Sequence, residues 1–397
     1  MGPPLTGVTV VALEQAVSAP LATRHLADLG ARVIKIERPD GGDFSRSYDT
    51  AVKGLSAHFV WLNRSKESLA LDLTHPHAPQ VLDRLLAKAD VFVQNLAPGA
   101  AGRHGLAAAA LRARHPRLIA CTVSGFGEGG PYSGKKAYDL LVQAEAGLLS
   151  ITGTEGTPSR VGISVADIAA GMYAYSGILA ALLARARTGD GATLDVSLFD
   201  ALAEWMSFPA YYTAGTGAAL ARSGPNHVSI APYGPFRSAD GAEIFLAVQN
   251  AREWTAFCAQ VLRRPELAGD SRFNTNARRL SNREALRTAI EAVFVTLSRE
   301  TILARLGEAQ IAHARMNSVA EFLEHPQLTA RNRWRDTESE AGSIRTLLPP
   351  VRIEGVEPAM GAVPSLGEHT RAILRELGFD EATIAAWEKN GLTAPTP

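Results

Sequence analysis

A lone carboxylate, Asp167, lies at the start of the most apolar stretch of the chain. Residues 168–184 carry no charge, and Arg185, Arg187 and two glycines follow them, which is a typical signal for the end of a helix. The pattern predicts a long helix with Asp167 as its N-cap. A carboxylate at the positive end of a helix is expected to stay ionised. Asp167 is therefore a candidate nucleophile, although the same residue could serve only as a cap.

The elements before this helix alternate between short apolar runs and helical patterns. Strands are predicted at residues 8–13, 31–37, 69–73, 90–95 and 117–124, and helices at residues 21–29 and 78–88. This βαβ order predicts an α/β fold in which helices cover a parallel sheet. Ligands are expected at the carboxyl ends of the strands.

A nicotinamide enzyme is one alternative for such a sheet. Glu37 ends the second strand, where an acidic residue could hold a ribose. The first strand-to-helix turn, however, reads LEQAVSAP and has no G-x-G-x-x-G pattern to hold a pyrophosphate. The sequence therefore argues against this alternative.

The remainder of the chain predicts a second, smaller α/β unit. A hairpin around Asp240-Gly241 is predicted within residues 236–248, and helices follow at residues 252–262, 283–297 and 301–308. Residues 333–356 are expected to be irregular, with a last helix near residues 368–377. We expect a large domain from residues 1–208 and 330–397, a linker or active-site loop at 209–235, and a small domain at 236–329.

Composition limits the classes of partner. The 397 residues are 46% hydrophobic and 20% charged, with a net charge of zero, so no global field favours nucleic acid or an anionic membrane. Any anionic ligand must be held by a local cluster of cations. Two cysteines cannot build a disulfide framework, and the cytoplasm is the expected compartment. The apolar stretch contains glycines, a serine and two tyrosines, and we expect a buried or interface helix there, not a membrane span.

Seven segments in register carry a resemblance to a known family. They are LTGVTVVALEQAVSAP, LADLGARVIKIERPDGGD, NRSKESLALDL, ADVFVQNLAPGAAGRHGL, SGFGEGGPYSGKKAYDLLVQAEAG, VADIAAGM and LGEHTRAILRELG. From end to end the chain resembles the class III CoA-transferases, the family of formyl-CoA:oxalate and carnitine CoA-transferases and α-methylacyl-CoA racemase.

The resemblance implies a Rossmann-like large domain, a small domain, and two subunits interlocked as rings in a homodimer. It implies coenzyme A or acyl-CoA as a substrate, with no permanently bound cofactor and no metal. Asp167 matches the nucleophile of the family. The positions that match the CoA-binding and thioester-binding residues are Val17, Ser18, Arg38, Lys66, Asn95, Leu96, Arg103, Lys136, Tyr138 and Asp139.

Two departures from the family pattern affect these assignments. Ser18-Ala19-Pro20 replaces the common Ala-Gly-Pro below the thioester, and Glu67 follows Lys66 where a basic residue is frequent. The acidic neighbour weakens the local positive charge at Lys66, and the first departure alters the floor below the thioester.

The resemblance also implies a covalent mechanism. Asp167 would attack the acyl-CoA carbonyl to give a mixed anhydride, and returning CoA thiolate would convert this to an aspartyl-CoA thioester. The acceptor acid would attack that thioester, and CoA would cleave the second anhydride.

Two alternatives within the fold remain open. An acyl-CoA racemase needs two acid/base groups on opposite faces of one carbon. Family racemases resemble GHD where this chain reads Ala137-Tyr138-Asp139, so Tyr138 occupies the position of the histidine. A non-catalytic CoA-binding protein would keep the basic residues without needing Asp167.

The loop from Arg222 to Phe236 predicts the class of acid. It resembles the corresponding loop of members acting on mesaconyl-, itaconyl- or citramalyl-CoA, which implies a C4 or C5 dicarboxylate, with succinyl-CoA as donor. A second carboxylate could be clamped by Arg222, Asn226, His227 or Tyr233. Alternatively, the loop is mobile and these side chains face solvent.

Overall fold

The chain forms two compact units. The computed structural model describes residues 2–393. The first unit contains the described parts of Met1–Ala146, Val161–Phe208 and Ala330–Pro397, and the second contains Gly147–Arg160 and Pro209–Thr329. Two boundaries differ from those expected, because residues 147–160 and 209–235 both belong to the second unit. The reason is hydrogen bonding between these two segments, since the Arg222 side chain and the Gly224 N–H donate to backbone carbonyls of residues 150–155.

Six parallel strands form the sheet of the first unit. Their order is β3-β2-β1-β4-β5-β8, and every neighbouring pair is parallel. The order reverses between β1 and β4, which is the switch point where doubly wound sheets open a crevice for ligands. The strands of the whole chain are β1 (Thr9–Leu13), β2 (Arg32–Glu37), β3 (Lys66–Ala70), β4 (Val91–Gln94), β5 (Ile119–Ser124), β6 (Gly153–Thr154), β7 (Thr157–Pro158), β8 (Thr193–Ser197), β9 (Tyr233–Arg237), β10 (Glu243–Ala247), β11 (Ala312–Arg315), β12 (Trp334–Thr337) and β13 (Ile344–Leu347).

Helices connect the strands of both units. They are α1 (Ser18–Asp28), α2 (Ala57–Asn63), α3 (Ala78–Leu86), α4 (Ala100–Arg103), α5 (Ala108–Arg114), α6 (Asp139–Glu145), α7 (Leu148–Ile151), α8 (Val165–Thr188), α9 (Leu198–Trp205), α10 (Ser207–Thr216), α11 (Ala251–Ala256), α12 (Asn276–Ser281), α13 (Arg283–Phe294), α14 (Arg299–Glu308), α15 (Val319–Leu323), α16 (Pro326–Ala330), α17 (Thr370–Glu376) and α18 (Glu381–Asn390). The prediction of an α/β fold with a parallel sheet is confirmed.

The first core lies between the sheet and the helices of both chain ends. Val11, Ile34 and Phe92 from the strands pack in one buried cluster with α3 residues such as Val81 and with Ile373 of α17. Strands that are buried in this way read as continuous apolar runs, which is why the sequence identified them. The C-terminal segment is therefore part of the large unit.

Helix α8 packs closely on α1 through small side chains. Ala166, Ala170 and Ala174 are fully buried. A Cβ on Gly171 would lie 2.6 Å from the Ser18 carbonyl oxygen, so only glycine permits this approach. By length and composition α8 could cross a membrane, as the core helices of soluble proteins also could. One face of α8 is buried against α1, whereas Met172, Tyr173 and Leu183 on the same helix are exposed.

The second unit has its own sheet and core. Strands β9 and β10 form the predicted hairpin through Asp240 and Gly241, and β11 extends them to an antiparallel sheet of three strands. Phe236, Trp254, Phe257 and Phe294 are buried in its core. Other elements were not predicted from the sequence, among them the β12–β13 pair, within residues expected to be irregular, and α18.

Candidate active site

Asp167 lies in the first turn of α8 and is not its N-cap. The helix begins at Val165, and Ser164 occupies the N-cap position without a side-chain capping bond. The cap comes from another helix: Asp139 Oδ1 accepts from the backbone N–H groups of Ala166 at 2.8 Å and Asp167 at 3.4 Å. The prediction of an N-cap role was wrong, because a carboxylate outside the helix already satisfies these donors.

The pKa of Asp167 also differs from the expectation. Burial raises it from 3.8 to about 7, the nearby Asp139 carboxylate contributes to the rise, and a hydrogen bond with Ser18 opposes it. The helix N-terminus was expected to keep Asp167 ionised. Desolvation and the negative charge of Asp139 outweigh the positive potential of the helix end. A carboxylate with this pKa is more basic than an exposed one and is about half ionised at neutral pH.

A strained turn after β1 holds Ser18 beside Asp167. Ala16 has φ 62°, in the left-handed region that residues other than glycine seldom adopt. Asn95 fixes the turn by accepting from the Gln15 N–H at 2.8 Å and donating to the Gln15 carbonyl at 2.8 Å. Its Nδ2 also lies 3.4 Å from Ser18 Oγ. Asn95 follows β4, so this contact lies at the switch point of the sheet.

A buried ionic network supports the same turn. Lys66 is fully enclosed, with its Nζ 2.6 Å from Glu14 Oε1 and 3.0 Å from the Pro20 carbonyl oxygen. Lys35 Nζ donates to Asp43 Oδ2 at 2.8 Å, and Asp43 Oδ1 accepts from the Ala16 N–H at 3.2 Å. The network stabilises the backbone on both sides of the turn.

The assignment of Lys66 to CoA was therefore wrong. Its ammonium has three protein oxygens as partners and no exposed surface. Lys66 instead has a structural role, because its ammonium neutralises the buried Glu14 carboxylate.

Three of the predicted CoA-binding cations are exposed. Arg38 follows β2, Arg103 ends α4 after β4, and Lys136 follows β5, so all three come after carboxyl ends of the sheet. None of them makes an ion pair with a described residue, whereas other arginines of the large unit, such as Arg32, Arg46 and Arg64, are paired. They are available for an anionic ligand. Leu96 is half-buried and follows β4, and Val17 is buried at the N-cap of α1.

A close backbone approach fixes the segment that carries Lys136, Tyr138 and Asp139. A Cβ on Gly125, directly after β5, would lie 2.2 Å from the Ala137 Cβ. Tyr138 is 68% exposed and Asp139 begins α6. Asp139 is thus a cap for α8, and its carboxylate accepts from the first turn of that helix.

Two residues near Asp167, Gln143 and Tyr48, were not predicted from the sequence. The fully buried Gln143 donates to Asp139 Oδ2 at 2.6 Å and accepts from the Val161 N–H at 3.1 Å. Tyr48 is also near Asp167. Burial, and to a smaller extent the charges of Asp43 and Asp167, raise the pKa of Tyr48 to about 12. The spacing of Asp139 and Gln143, which puts both on one helix face, is a local signal for Gln143. No local pattern identifies Tyr48, because it reaches the site through tertiary contacts.

The predicted substrate residues all belong to the second unit. Arg222 donates through Nε, Nη1 and Nη2 to the backbone carbonyls of Thr154, Ser150 and Glu155. It anchors the loop, so the prediction that Arg222 clamps a carboxylate was wrong.

Asn226, His227 and Tyr233 come together. Asn226 Oδ1 accepts from Arg287 Nη2 at 3.0 Å, and the His227 ring stacks on Tyr233 with centroids 5.0 Å apart. His227 Nδ1 accepts from the Ser229 N–H at 3.2 Å, which leaves Nε2 as the protonated nitrogen when the ring is neutral. The cavity beside Asn226 and Tyr233 measures about 20 Å³, enough for one water molecule and too small for a dicarboxylate.

This arrangement suits covalent acyl chemistry at Asp167. The site combines a basic carboxylate, a hydroxyl donor and a strained turn at the switch point, with free cations at the same edge of the sheet. The described residues contain no group of three or more His, Cys, Asp or Glu side chains suited to a metal ion.

Comparison with known proteins identifies the family. The model of CoA-transferase family III matches residues 5–370. Succinyl-CoA:glutarate CoA-transferase of Mus musculus is 34% identical over 96% of this chain and 88% of its own length. Succinyl-CoA:mesaconate CoA-transferase of Haloarcula hispanica is 31% identical over 96% and 98%. The crystal structure of a CAIB/BAIF family protein from Brucella suis has a TM-score of 0.85 and 33% identity, and the match covers 95% of this chain and all of that one. The chain belongs to CoA-transferase family III and is a CoA-transferase.

Proposed function

We propose that this enzyme moves CoA from succinyl-CoA, or another C4 or C5 dicarboxyl-CoA, to a small dicarboxylic acid. Candidate acceptors are mesaconate, itaconate and citramalate, and the name of the mouse relative adds glutarate. The observation that carries the proposal is the environment of Asp167, a carboxylate that is bonded to Ser18 and has a pKa of about 7. Such a group is both basic and substantially ionised at neutral pH, as a nucleophile requires.

The reaction proceeds through two anhydrides. Asp167 Oδ attacks the thioester carbonyl of the donor and expels CoA thiolate, which gives a mixed anhydride. The thiolate attacks the Asp167 acyl carbon, releases the donor carboxylate and forms an aspartyl-CoA thioester. The acceptor carboxylate attacks this thioester, and the freed thiolate then cleaves the second anhydride at the acceptor carbonyl. Asp167 is regenerated as a carboxylate, and no net proton is consumed.

The nucleotide part of CoA is assigned to the exposed cations. CoA carries several phosphate charges, and a protein with zero net charge must meet them with local cations. Arg38, Arg103 and Lys136 are exposed and without ion pairs to described residues, which supports this role. Lys66 is excluded because it is buried against Glu14.

Tyr138 disfavours the racemase alternative. It is exposed and stands where the racemases have a histidine, and the neighbouring Asp139 is committed to capping α8. A two-base reaction would therefore lack one of its acid/base groups.

The dicarboxylate preference rests on the loop in the second unit. With Arg222 committed to backbone carbonyls, the remaining candidates for a second carboxylate are Asn226, His227 and Tyr233. All three carry donors, and a second carboxylate would meet them outside the cavity of about 20 Å³, which is too small for the acid.

We also propose an interlocked homodimer, as the family resemblance implies. The first unit exposes several large apolar side chains on α6, α8 and α9, and burying them in a subunit interface would remove this apolar surface from water. They are Leu140, Leu141, Met172, Tyr173, Leu183 and Trp205. Light scattering should give twice the mass of the chain; a monomer at micromolar concentration contradicts this part of the proposal.

Trapping the intermediate tests the mechanism. Incubation with succinyl-CoA and borohydride should reduce the aspartyl-CoA thioester at position 167 to homoserine, and hydroxylamine should give a hydroxamate there. Peptide mass mapping locates the change, and Asp167→Asn serves as the control. An enzyme that turns over with residue 167 unmodified by either reagent contradicts the covalent role.

A panel of acids tests the substrate class. Succinyl-CoA is supplied with dicarboxylates and with monocarboxylates of equal length, and products are identified by mass spectrometry. Dicarboxylates should be preferred by tenfold or more in kcat/KM, which is about 1.4 kcal/mol. A tenfold preference for monocarboxylates contradicts the dicarboxylate assignment without affecting the Asp167 mechanism.

A further inference from the structure

A large cavity in the first unit lies away from Asp167. It has a volume of about 740 Å³ and is bounded by the end of α1, by residues 330–335 and by residues 348–358. Ser18 begins α1 and Asp28 ends it, and an 11-residue helix is about 16 Å long. The cavity is therefore at the opposite end of α1 from the nucleophile.

Four arginines line this cavity: Arg331, Arg333, Arg335 and Arg352. None of the four forms an ion pair with any residue that the structure describes, which contrasts with the paired arginines elsewhere in the unit. Asp28 also lines the cavity, but Arg64 binds both of its carboxylate oxygens at 2.8 Å. The cavity wall thus has an excess of unneutralised guanidinium groups.

Arg333 is fixed in position at this wall. It is 7% exposed, and its Nη2 donates to the Leu348 and Pro349 carbonyl oxygens. Its Nη1 is buried and has no hydrogen-bond partner among the described residues. Burial, together with the charges of Arg331 and Arg352, lowers the pKa of Arg333. A buried cation repelled by two neighbouring cations is costly unless an anion neutralises the group.

Two glutamates limit the size of the positive charge. Glu354 and Glu357 belong to the same wall, are exposed, and make no ion pair with a described arginine. Four arginines against these two carboxylates leave an excess of two positive charges, so a ligand with two or more negative charges matches the cavity.

We propose that this cavity is a second anion site, separate from the Asp167 site, for a compact ligand bearing a diphosphate group. Guanidinium groups bind phosphate oxygens through paired N–H donors, and exposed Arg331 and Arg352 can turn toward a ligand while Arg333 supplies fixed charge. The matching ligands are free diphosphate and nucleotides other than the CoA substrate, and the experiment separates them from the diphosphate of CoA.

Calorimetric titration with inorganic pyrophosphate, in the presence of saturating CoA, tests the proposal on the full-length protein. One pyrophosphate should bind per chain. The double variant Arg331→Ala/Arg352→Ala should weaken this binding more than tenfold, because each lost bond joins two charged groups. Both residues are exposed, so the variant should fold. Arg252→Ala, which removes an exposed arginine from α11, is the matched control and should bind as the wild type does.

Three outcomes overturn the proposal. The first is that pyrophosphate fails to bind at millimolar concentration, or that the double variant binds it unchanged. The second is that CoA displaces pyrophosphate while the double variant raises the KM for CoA, which would make the cavity part of the CoA site. The third is that the double variant leaves pyrophosphate binding unchanged and alters only the mass of the oligomer measured by light scattering. That result would assign the cavity to contact with a second copy of the chain.

Discussion

The carboxylate of Asp139 accepts hydrogen bonds from the first turn of the helix that carries Asp167, with Oδ1 2.8 Å from the Ala166 nitrogen. One acidic residue thus holds α8 by its N–H groups and, at the same time, raises the pKa of Asp167. Positioning and basicity of Asp167 are coupled through this contact.

Replacing Asp139 by asparagine separates the two effects. The side-chain amide of the Asp139→Asn variant keeps an oxygen for the Ala166 N–H but removes the like charge. The pKa of Asp167 should therefore fall, and the acidic limb of the kcat/KM profile should move to lower pH. The bond with Gln143 is lost, at a cost of about 1 kcal/mol in stability. An acidic limb that stays in place while the variant remains folded contradicts the electrostatic role.

Removing the charge of Asp167 should stabilise the protein at alkaline pH. The folded-state pKa is about 7 against an ordinary value of 3.8, so the folded state binds the proton more tightly and stability falls as the pH rises from about 4 to 7. The Asp167→Asn variant has no carboxylate at this position, so its stability should not fall over this pH range. Its free energy of unfolding should exceed that of the wild type by about 1–2 kcal/mol at pH 8, after allowance for partial exposure.

Denaturant titrations at pH 5 and pH 8 check this difference. It should shrink at pH 5, where the wild-type carboxyl is mostly protonated. A difference that is the same at both pH values would mean that Asp167 is not desolvated in the folded protein.

Gly171→Ala should displace the nucleophile. The new Cβ would lie 2.6 Å from the Ser18 carbonyl oxygen, so α8 must move away from α1. We expect a loss of about 1–3 kcal/mol in stability and at least tenfold in kcat. Gly177→Ala on the same helix is the control, because its Cβ would meet Leu194 at an ordinary 3.7 Å. Equal kinetics for the two variants would show that the contact with Ser18 does not position Asp167.

Lys66→Met should affect stability and leave CoA affinity unchanged in any variant that folds. It leaves the buried Glu14 without its closest cation, at a cost of about 3–5 kcal/mol. Thermal unfolding and the KM for the acyl-CoA donor are measured together. A raised KM with unchanged stability would restore Lys66 as a CoA contact.

Arg38→Ala and Lys136→Ala should each raise the KM for acyl-CoA about tenfold with little change in kcat, because they bind a remote part of the substrate. The matching pantetheine thioester lacks the nucleotide and should be unaffected by either change. Arg252→Ala provides a charge-matched control. Equal losses with both substrates would place these cations near the reacting atoms.

Local sequence was sufficient for most of the parallel sheet. Buried parallel strands read as apolar runs, so β1, β2, β4 and β5 could be assigned from residues alone. The free cations Arg38, Arg103 and Lys136 followed from the family segments. The bounds of β3, the β12–β13 pair and helix α18 could not be assigned from the sequence. Their residues form weaker apolar patterns than those of the buried strands.

Tertiary structure decided what each side chain is used for. Lys66 looked like Arg38 in sequence, but only the fold shows that the lysine is enclosed against Glu14 and that the arginine is free. Arg222 is likewise committed to backbone carbonyls of a segment far from it in sequence. The pKa of Asp167 depends on burial and on Asp139. Charge, burial and bonding depend on distances between residues remote in the chain, and residue type alone does not contain those distances.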